Sequence, residues 1–190
     1  MNIKRIAVYC GSSLGNNSIY QKEAIKFIQL LRSKNIGMVY GGGNVGIMGV
    51  IADEMMRLDG EVIGVIPEKL MQKEVGHTGI TQQIIVQNMH ERKAKMFELC
   101  DACVALPGGI GTMEELFEAF TWSQLGFHYK PCGVLNTNGF YNPLNDMLQH
   151  MVNHQFLKQE FKNMLLMDEN AESLLTQIEN FEFPKVLKWY

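Results

Sequence analysis

The chain has 190 residues, 46% of them hydrophobic and 19% charged, and a formal net charge of −3 with a pI near 6.0. That is the composition of one globular domain, here 1–190, with enough chain to bury a core. Lysines and arginines are scattered among acids, which argues against a nucleic-acid surface, and no apolar run approaches the roughly 20 residues that cross a bilayer. The N-terminus, Met1-Asn2-Ile3-Lys4-Arg5, leads into a strand-like run without the pattern of a signal peptide. The four cysteines sit mostly in apolar runs, so reduced thiols and a cytoplasmic protein are expected.

In chain order, Ile3 to Tyr9 reads as a strand ending at Cys10-Gly11-Ser12-Ser13. A helix follows from Ile19 to Lys34, with Ala24, Phe27, Ile28 and Leu31 on one face. Ile36 to Tyr40 is a second strand, ending in Gly41-Gly42-Gly43, and a helix runs from about Gly46 to Leu58. Val62 to Ile66 is a third strand, closed by Pro67. Residues 68–81 are irregular, and Ile84 to Val86 is a short strand. Asn88 to Cys100 is helical, with Asn88 as N-cap and Glu91 three residues on. Ala102 to Leu106 is a strand, and Met113 to Gly126 a helix. Cys132 to Leu135 is another strand, Pro143 to Asn153 and Ala171 to Asn180 are helical, and Phe181 to Tyr190 is a tail. Strands alternating with helices, rich in Val and Ile without polar alternation, predict an α/β fold: a Rossmann-like, doubly wound parallel sheet with helices on both faces.

The glycine clusters at Gly11, Gly41 to Gly43 and Gly108 to Gly111 each follow a strand. In an open parallel sheet those positions share the edge where ligands bind. The most informative is Pro107-Gly108-Gly109-Ile110-Gly111-Thr112-Met113-Glu114-Glu115. Glycines let backbone N–H groups approach an anion, and a helix N-terminus adds partial positive charge. The two glutamates would repel a phosphate, so they suggest chemistry on something attached to it. The bland alternative is that Thr112 to Glu115 is a capping box, S/T-x-x-E, with Glu115 bonding back to the Thr112 N–H.

Gly41-Gly42-Gly43-Asn44-Val45-Gly46 has the G-x-G-x-x-G pattern of a dinucleotide site. The acid that should close the next strand is missing, because Glu61 sits at its start and Glu68 lies beyond Pro67. A loop lining a nucleotide site, or a tight turn with close packing, fits better. In Met89-His90-Glu91-Arg92-Lys93, Glu91 and Lys95 have i,i+4 spacing for a surface pair. Arg92 and Lys93 oppose the helix dipole, a conflict that a nearby anion relieves. Cys100-Asp101-Ala102-Cys103 is a lone C-x-x-C, too little for a zinc site. The five histidines show no ligand spacing, and the methionines of Met55-Met56 and Met164 to Met167 read as core.

Three segments together resemble the LONELY GUY (LOG) family of cytokinin riboside 5′-monophosphate phosphoribohydrolases. They are Pro107 to Glu115, Met89 to Lys93, and Gly41-Gly-Gly-x-x-Gly-x-Met-Gly49. A related group carries the label lysine decarboxylase, but the chain offers no convincing Schiff-base lysine in a cofactor-binding context. The resemblance implies a purine nucleoside 5′-monophosphate as substrate, such as AMP or an N6-prenylated AMP, cleaved to free base and ribose 5-phosphate without cofactor or metal. It implies Glu115 and Arg92 as catalytic residues. It implies substrate contacts from Glu74, Arg92, Lys93, Gly109, Ile110, Gly111, Thr112, Met113, Glu114, Glu115 and Thr121, and a homodimer in which both subunits shape the site. The competing reading is a non-catalytic nucleotide or cofactor carrier on the same fold, which would need the glycine loops but neither Glu115 nor Arg92.

Overall fold

A computed structural model describes residues 1–71 and 76–184. Seven strands form one sheet: β1 Arg5–Tyr9, β2 Gly37–Tyr40, β3 Val62–Pro67, β4 Gln82–Val86, β5 Ala102–Ala105, β6 Cys132–Leu135 and β7 Leu165–Asp168. Their spatial order is β4-β3-β2-β1-β5-β6-β7, and every neighbouring pair is parallel. The helices are α1 Ser18–Ser33, α2 Gly46–Arg57, α3 Glu68–Met71, α4 Met89–Leu99, α5 Ile110–Gln124, α6 Asn142–Asn153, α7 Gln159–Lys162 and α8 Ala171–Glu179.

Side chains on a strand alternate between faces, and this splits the core in two. Ile6, Val8, Met38, Tyr40, Ala102 and Val104 point to one side, under α1, α2 and α8. Ala7, Tyr9, Val39, Cys103 and Ala105 point to the other, under α4, α5, α6 and α7. The buried face of α1 is Ala24, Phe27, Ile28 and Leu31, the set its sequence period predicts. The central strands are buried on both faces and so read as unbroken apolar runs, whereas edge strand β4 keeps exposed glutamine and isoleucine positions.

The topology positions the site. The chain builds outward from β1 through β2 and β3 to β4, then crosses to β5 on the other side of β1. Helix α1 follows β1 onto one face and α5 follows β5 onto the opposite face. The two connections therefore diverge and leave a crevice at the C-terminal ends of β1 and β5, the switch point where ligands bind in such sheets.

The elements differ from the sequence expectation in several places. Strand β4 begins two residues earlier, at Gln82, and the irregular 68–81 stretch opens with the one-turn α3. Helix α7 and strand β7 were not expected. Lys95 pairs with Glu98, because Glu91 is engaged at the N-terminus of α4. The largest correction concerns α5, which begins at Ile110 with Gly109 as N-cap. Thr112 therefore lies inside the helix and does not cap it, so the capping-box reading fails.

Gly46, at the start of α2, has φ of +58°, and a side chain there would begin 2.3 Å from the Ser12 carbonyl carbon. Gly46→Ala should therefore lower stability by about 1–3 kcal/mol. The expected result is a lower urea midpoint with an unchanged slope.

Candidate active site

A cavity of about 180 Å³ opens at the switch point. Its walls come from the ends of β1 and β2, from α2 and α4, and from the first turns of α5: Val8, Cys10, Gly11, Ser12, Gly41, Met48, Met89, Arg92, Gly109 to Thr112, Glu114 and Glu115. All three glycine clusters singled out in the sequence therefore contribute to one wall.

Its floor is electrostatic. Arg92 is only 6% exposed, and its Nη2 lies 3.7 Å from Glu115 Oε1, both side chains being almost wholly out of water. Helix α4 carries Arg92 and is anchored by a reciprocal cap. Asn88 Oδ1 accepts from the Glu91 N–H at 2.9 Å, and Glu91 accepts from the Gln87 N–H at 2.9 Å. Gly41 makes room for the guanidinium, since a side chain there would begin 1.9 Å from Arg92 Nη2. The field of the pair reaches its neighbours. Burial pushes the Cys10 thiol pKa up, Glu115 adds to that, and Arg92 opposes it. Burial, chiefly, also raises Tyr9, with Glu115 contributing.

Above this floor sits the helix terminus. The first helical bond of α5 runs from Met113 N–H to Gly109 O at 3.1 Å. The amides of Ile110, Gly111 and Thr112 precede it and have no acceptor within the helix. At Gly109 and Gly111, apart from the adjoining backbone, no atom of the described residues lies within 4 Å of where a side chain would begin. Packing among the described residues does not demand glycine at either position, and at Gly111, inside the helix, glycine costs about 1 kcal/mol relative to alanine. What glycine preserves at both positions is open space over the amides. Gly108 is different: a side chain there would start 2.2 Å from Thr112 Oγ1 and 2.8 Å from the Gly11 nitrogen.

Two buried donors complete the arrangement. Among the described residues neither Arg92 Nε nor Thr112 Oγ1 has a hydrogen-bond partner, and both residues line the cavity. A buried polar group left unpaired costs about 1–3 kcal/mol. Two such donors, with three helix amides beside them, suit a ligand rich in acceptor oxygens, and a phosphate is the simplest.

The other expected contacts divide. Ile110 lies on the rim, 85% exposed. Glu114 lines the cavity and is ion-paired with Lys93. Lys93 is not on the cavity wall; it joins α4 to α5 through Glu114 and through Glu118 at 3.1 Å. Burial works to lower the Lys93 pKa, but the bonds to the two glutamates outweigh it and hold the pKa above its ordinary value. Met113 packs into the core, and Thr121 is exposed further along α5, off the cavity wall. Glu74 lies outside the described residues. The sequence expectation did not include Cys10, Ser12, Met48 and Met89; the glycine turns beside the first three, and the helix start that carries Arg92 for Met89, were the available signal. Among the described residues no group of three or more His, Cys, Asp or Glu is placed to hold a metal ion. Glu61, at the opposite end of the sheet, is tied to Arg5 by bonds of 2.7 and 2.9 Å and is far from any dinucleotide role.

Comparison with known proteins agrees with this picture. A family model described as "Possible lysine decarboxylase" matches residues 48–178. A rice protein named "Probable cytokinin riboside 5'-monophosphate phosphoribohydrolase" is 44% identical over 93% of this chain and 79% of its own length. An Arabidopsis thaliana cytokinin riboside 5′-monophosphate phosphoribohydrolase is 42% identical over 94% of this chain and 82% of its own. The chain belongs to the LONELY GUY family. Its fold also recurs in a molybdenum cofactor binding protein from Rippkaea orientalis, with a TM-score of 0.70, 21% identity and coverage of 94% of this chain and 97% of that one. A molybdenum cofactor carrier from Chlamydomonas reinhardtii gives a TM-score of 0.68 at 14% identity, covering 94% and 96% of the two chains. At those identities the likeness is one of fold. The decarboxylase label finds no support at Lys93, where a Schiff base would need a free neutral amine and two glutamates hold the ammonium form.

Gly41→Ala tests the floor of this LONELY GUY site. The added methyl overlaps the guanidinium, so Arg92 should leave its place beside Glu115 while the sheet stays intact. A crystal structure of the variant with Arg92 still within about 4 Å of Glu115 would contradict this.

Proposed function

We propose that the protein hydrolyses the N-glycosidic bond of purine nucleoside 5′-monophosphates of the cytokinin type, releasing free base and ribose 5-phosphate. The observation that carries the reading is the unpaired donors of Arg92 and Thr112 and the open amides of α5 gathered around one buried carboxylate. The names of the relatives at 40–44% identity point the same way.

In this reading the 5′-phosphate sits on the amides of Ile110, Gly111 and Thr112 with the Thr112 hydroxyl. That anchor holds the ribose over Glu115, one turn further along the helix. Breaking the bond between C1′ and the base nitrogen builds positive charge on the sugar, which a carboxylate stabilises. Glu115 supplies that negative carboxylate and orients the attacking water, taking its proton as the oxygen bonds to C1′. Arg92 hydrogen-bonds the departing base, and the proton that Glu115 took from water passes on to the base nitrogen, so that Glu115 is again a carboxylate when free base and ribose 5-phosphate leave. Phosphate binding at a distance from the reacting bond supports rate as well as affinity, since it fixes C1′ against the carboxylate.

Among the described residues no helix is long and apolar enough to cross a membrane. The proposal extends to a cytoplasmic homodimer whose second subunit helps to enclose the base. On this assignment Lys93 and Thr121 reach substrate only where the two subunits meet, and Glu74 contributes from the segment after α3. The carrier alternative is weaker, because the cofactor-binding neighbours share the fold at 14–21% identity only.

Glu115→Gln separates the roles. Because Gly109 is the N-cap of α5, the substitution leaves the helix terminus untouched and removes only the charge. Arg92 then loses its buried counter-charge, so the variant should melt below the parent protein while remaining folded at the assay temperature, and free base released from AMP or N6-isopentenyl-AMP, followed by chromatography, should fall on the order of 10²–10³-fold. Arg92→Ala should show a comparable loss. Parental turnover by the Glu115 variant would refute the mechanism.

A further inference from the structure

Helix α6 carries two imidazoles that the proposed reaction does not use and that are not on the wall of the substrate cavity. His150 and His154 stand four residues apart. A helical turn takes about 3.6 residues, so both side chains leave α6 on the same side. The turn between them is closed, since the His154 N–H donates to the His150 carbonyl at 3.1 Å. Their ring centroids lie 4.3 Å apart, with the planes tilted by 55°, and both residues are exposed. The pair corrects the expectation that no two histidines share ligand spacing.

The surroundings leave these rings available. His77 and His128, by contrast, are engaged at both ring nitrogens. His77 bonds Asp53 and accepts from the Gly79 N–H, and His128 bonds the Ala119 carbonyl and accepts from the Lys130 N–H. Among the described residues no hydrogen bond or ion pair engages His150 or His154 through the ring. Asp146 lies one turn before His150 on the same side of α6 and is also exposed. Its charge and the partial negative charge at the C-terminal end of the helix both favour a cation beside the pair.

Two imidazoles one helical turn apart are a chelating arrangement, the same spacing that holds zinc in helical H-x-x-x-H sites. Metal–nitrogen bonds are about 2.0–2.1 Å long, and exposed side chains are free to rotate until both nitrogens meet one ion. Imidazole suits nickel, copper and zinc, whereas magnesium and calcium call for oxygen ligands. We propose that His150 and His154 form a surface site for a divalent transition-metal ion, with water in the remaining positions, and that the bound ion staples the last turn of α6. The site stands apart from the nucleotide cavity, so it holds whether or not the hydrolase reading does.

The test is calorimetric titration of the whole untagged protein with nickel(II) and, separately, magnesium, in buffer free of chelators. Nickel should bind and magnesium should give no signal. His150→Ala and His154→Ala should each weaken nickel binding at least about tenfold, because either change turns a chelate into a single ligand. Both changes are on the surface, so the metal-free variants should melt like the parent. Saturating nickel should raise the melting temperature of the parent and of neither variant. Absence of nickel binding to the parent would overturn the proposal. So would binding that survives either substitution at parental strength, since the ion would then be held by other groups or by one imidazole alone.

Discussion

Arg92 and Glu115 are two opposite charges kept out of water at the edge of a sheet, 3.7 Å apart. Taking ions from water costs several kcal/mol each even after relaxation, and mutual attraction offsets this only when geometry is held. Much of the surrounding structure serves that requirement. Gly41 clears the volume the guanidinium fills. Asn88 and Glu91 lock the first turn of α4, so that Arg92 leaves the helix in one direction. Lys93 bonds to Glu114 and Glu118, the residue before Glu115 and the one three beyond it, and so ties α4 to α5. The distance between arginine and carboxylate is set by two helices joined through a third charge, each growing from a different strand connection.

This bears on how Lys93 is to be understood. Its position next to Arg92 suggests a second cation for the substrate. Neighbours in a helix, however, project about 100° apart, so an arginine aimed into the crevice leaves the next residue facing sideways, toward α5. There Lys93 finds two glutamates. In this chain alone its work is positional, and any contact with substrate depends on a second subunit bringing a site to it.

Much of the fold was readable because the parallel sheet imposes a simple rule: strands buried on both faces must be apolar throughout, and helices need one apolar stripe. The face of α1 and the runs at 6–9, 37–40 and 102–105 follow it. Strand β7 escaped because Leu165-Leu166-Met167 is short and its residues favour helices as readily as strands. The start of α5 was displaced for a more instructive reason. Thr112-Met113-Glu114-Glu115 satisfies a local capping signature, while Gly109-Ile110-Gly111 has poor helix propensity, so local rules place the terminus at Thr112. The structure starts the helix three residues earlier. Glycines there hold open the space above the amides, and the Thr112 hydroxyl is buried against Gly108 with no hydrogen-bond partner among the described residues, on a residue of the cavity wall. The sequence reading failed where local stability yields to site geometry, as expected at a functional site.

A hydrolase and a carrier place different demands on such a site. Glycine loops at a switch point can make an anion site on a sheet of this topology whether or not the protein does chemistry, and the molybdenum cofactor proteins share only the fold with this chain, at 14–21% identity. For a protein that only holds a phosphate, a buried carboxylate one turn from the anchoring amides is a liability, because it repels the ligand and weakens binding. It becomes an asset when positive charge develops on the ligand during reaction. A carboxylate that opposes the ground state and stabilises a cationic transition state is the differential interaction that raises rate. In the proposed mechanism that role falls to Glu115, buried beside Arg92 on the cavity wall.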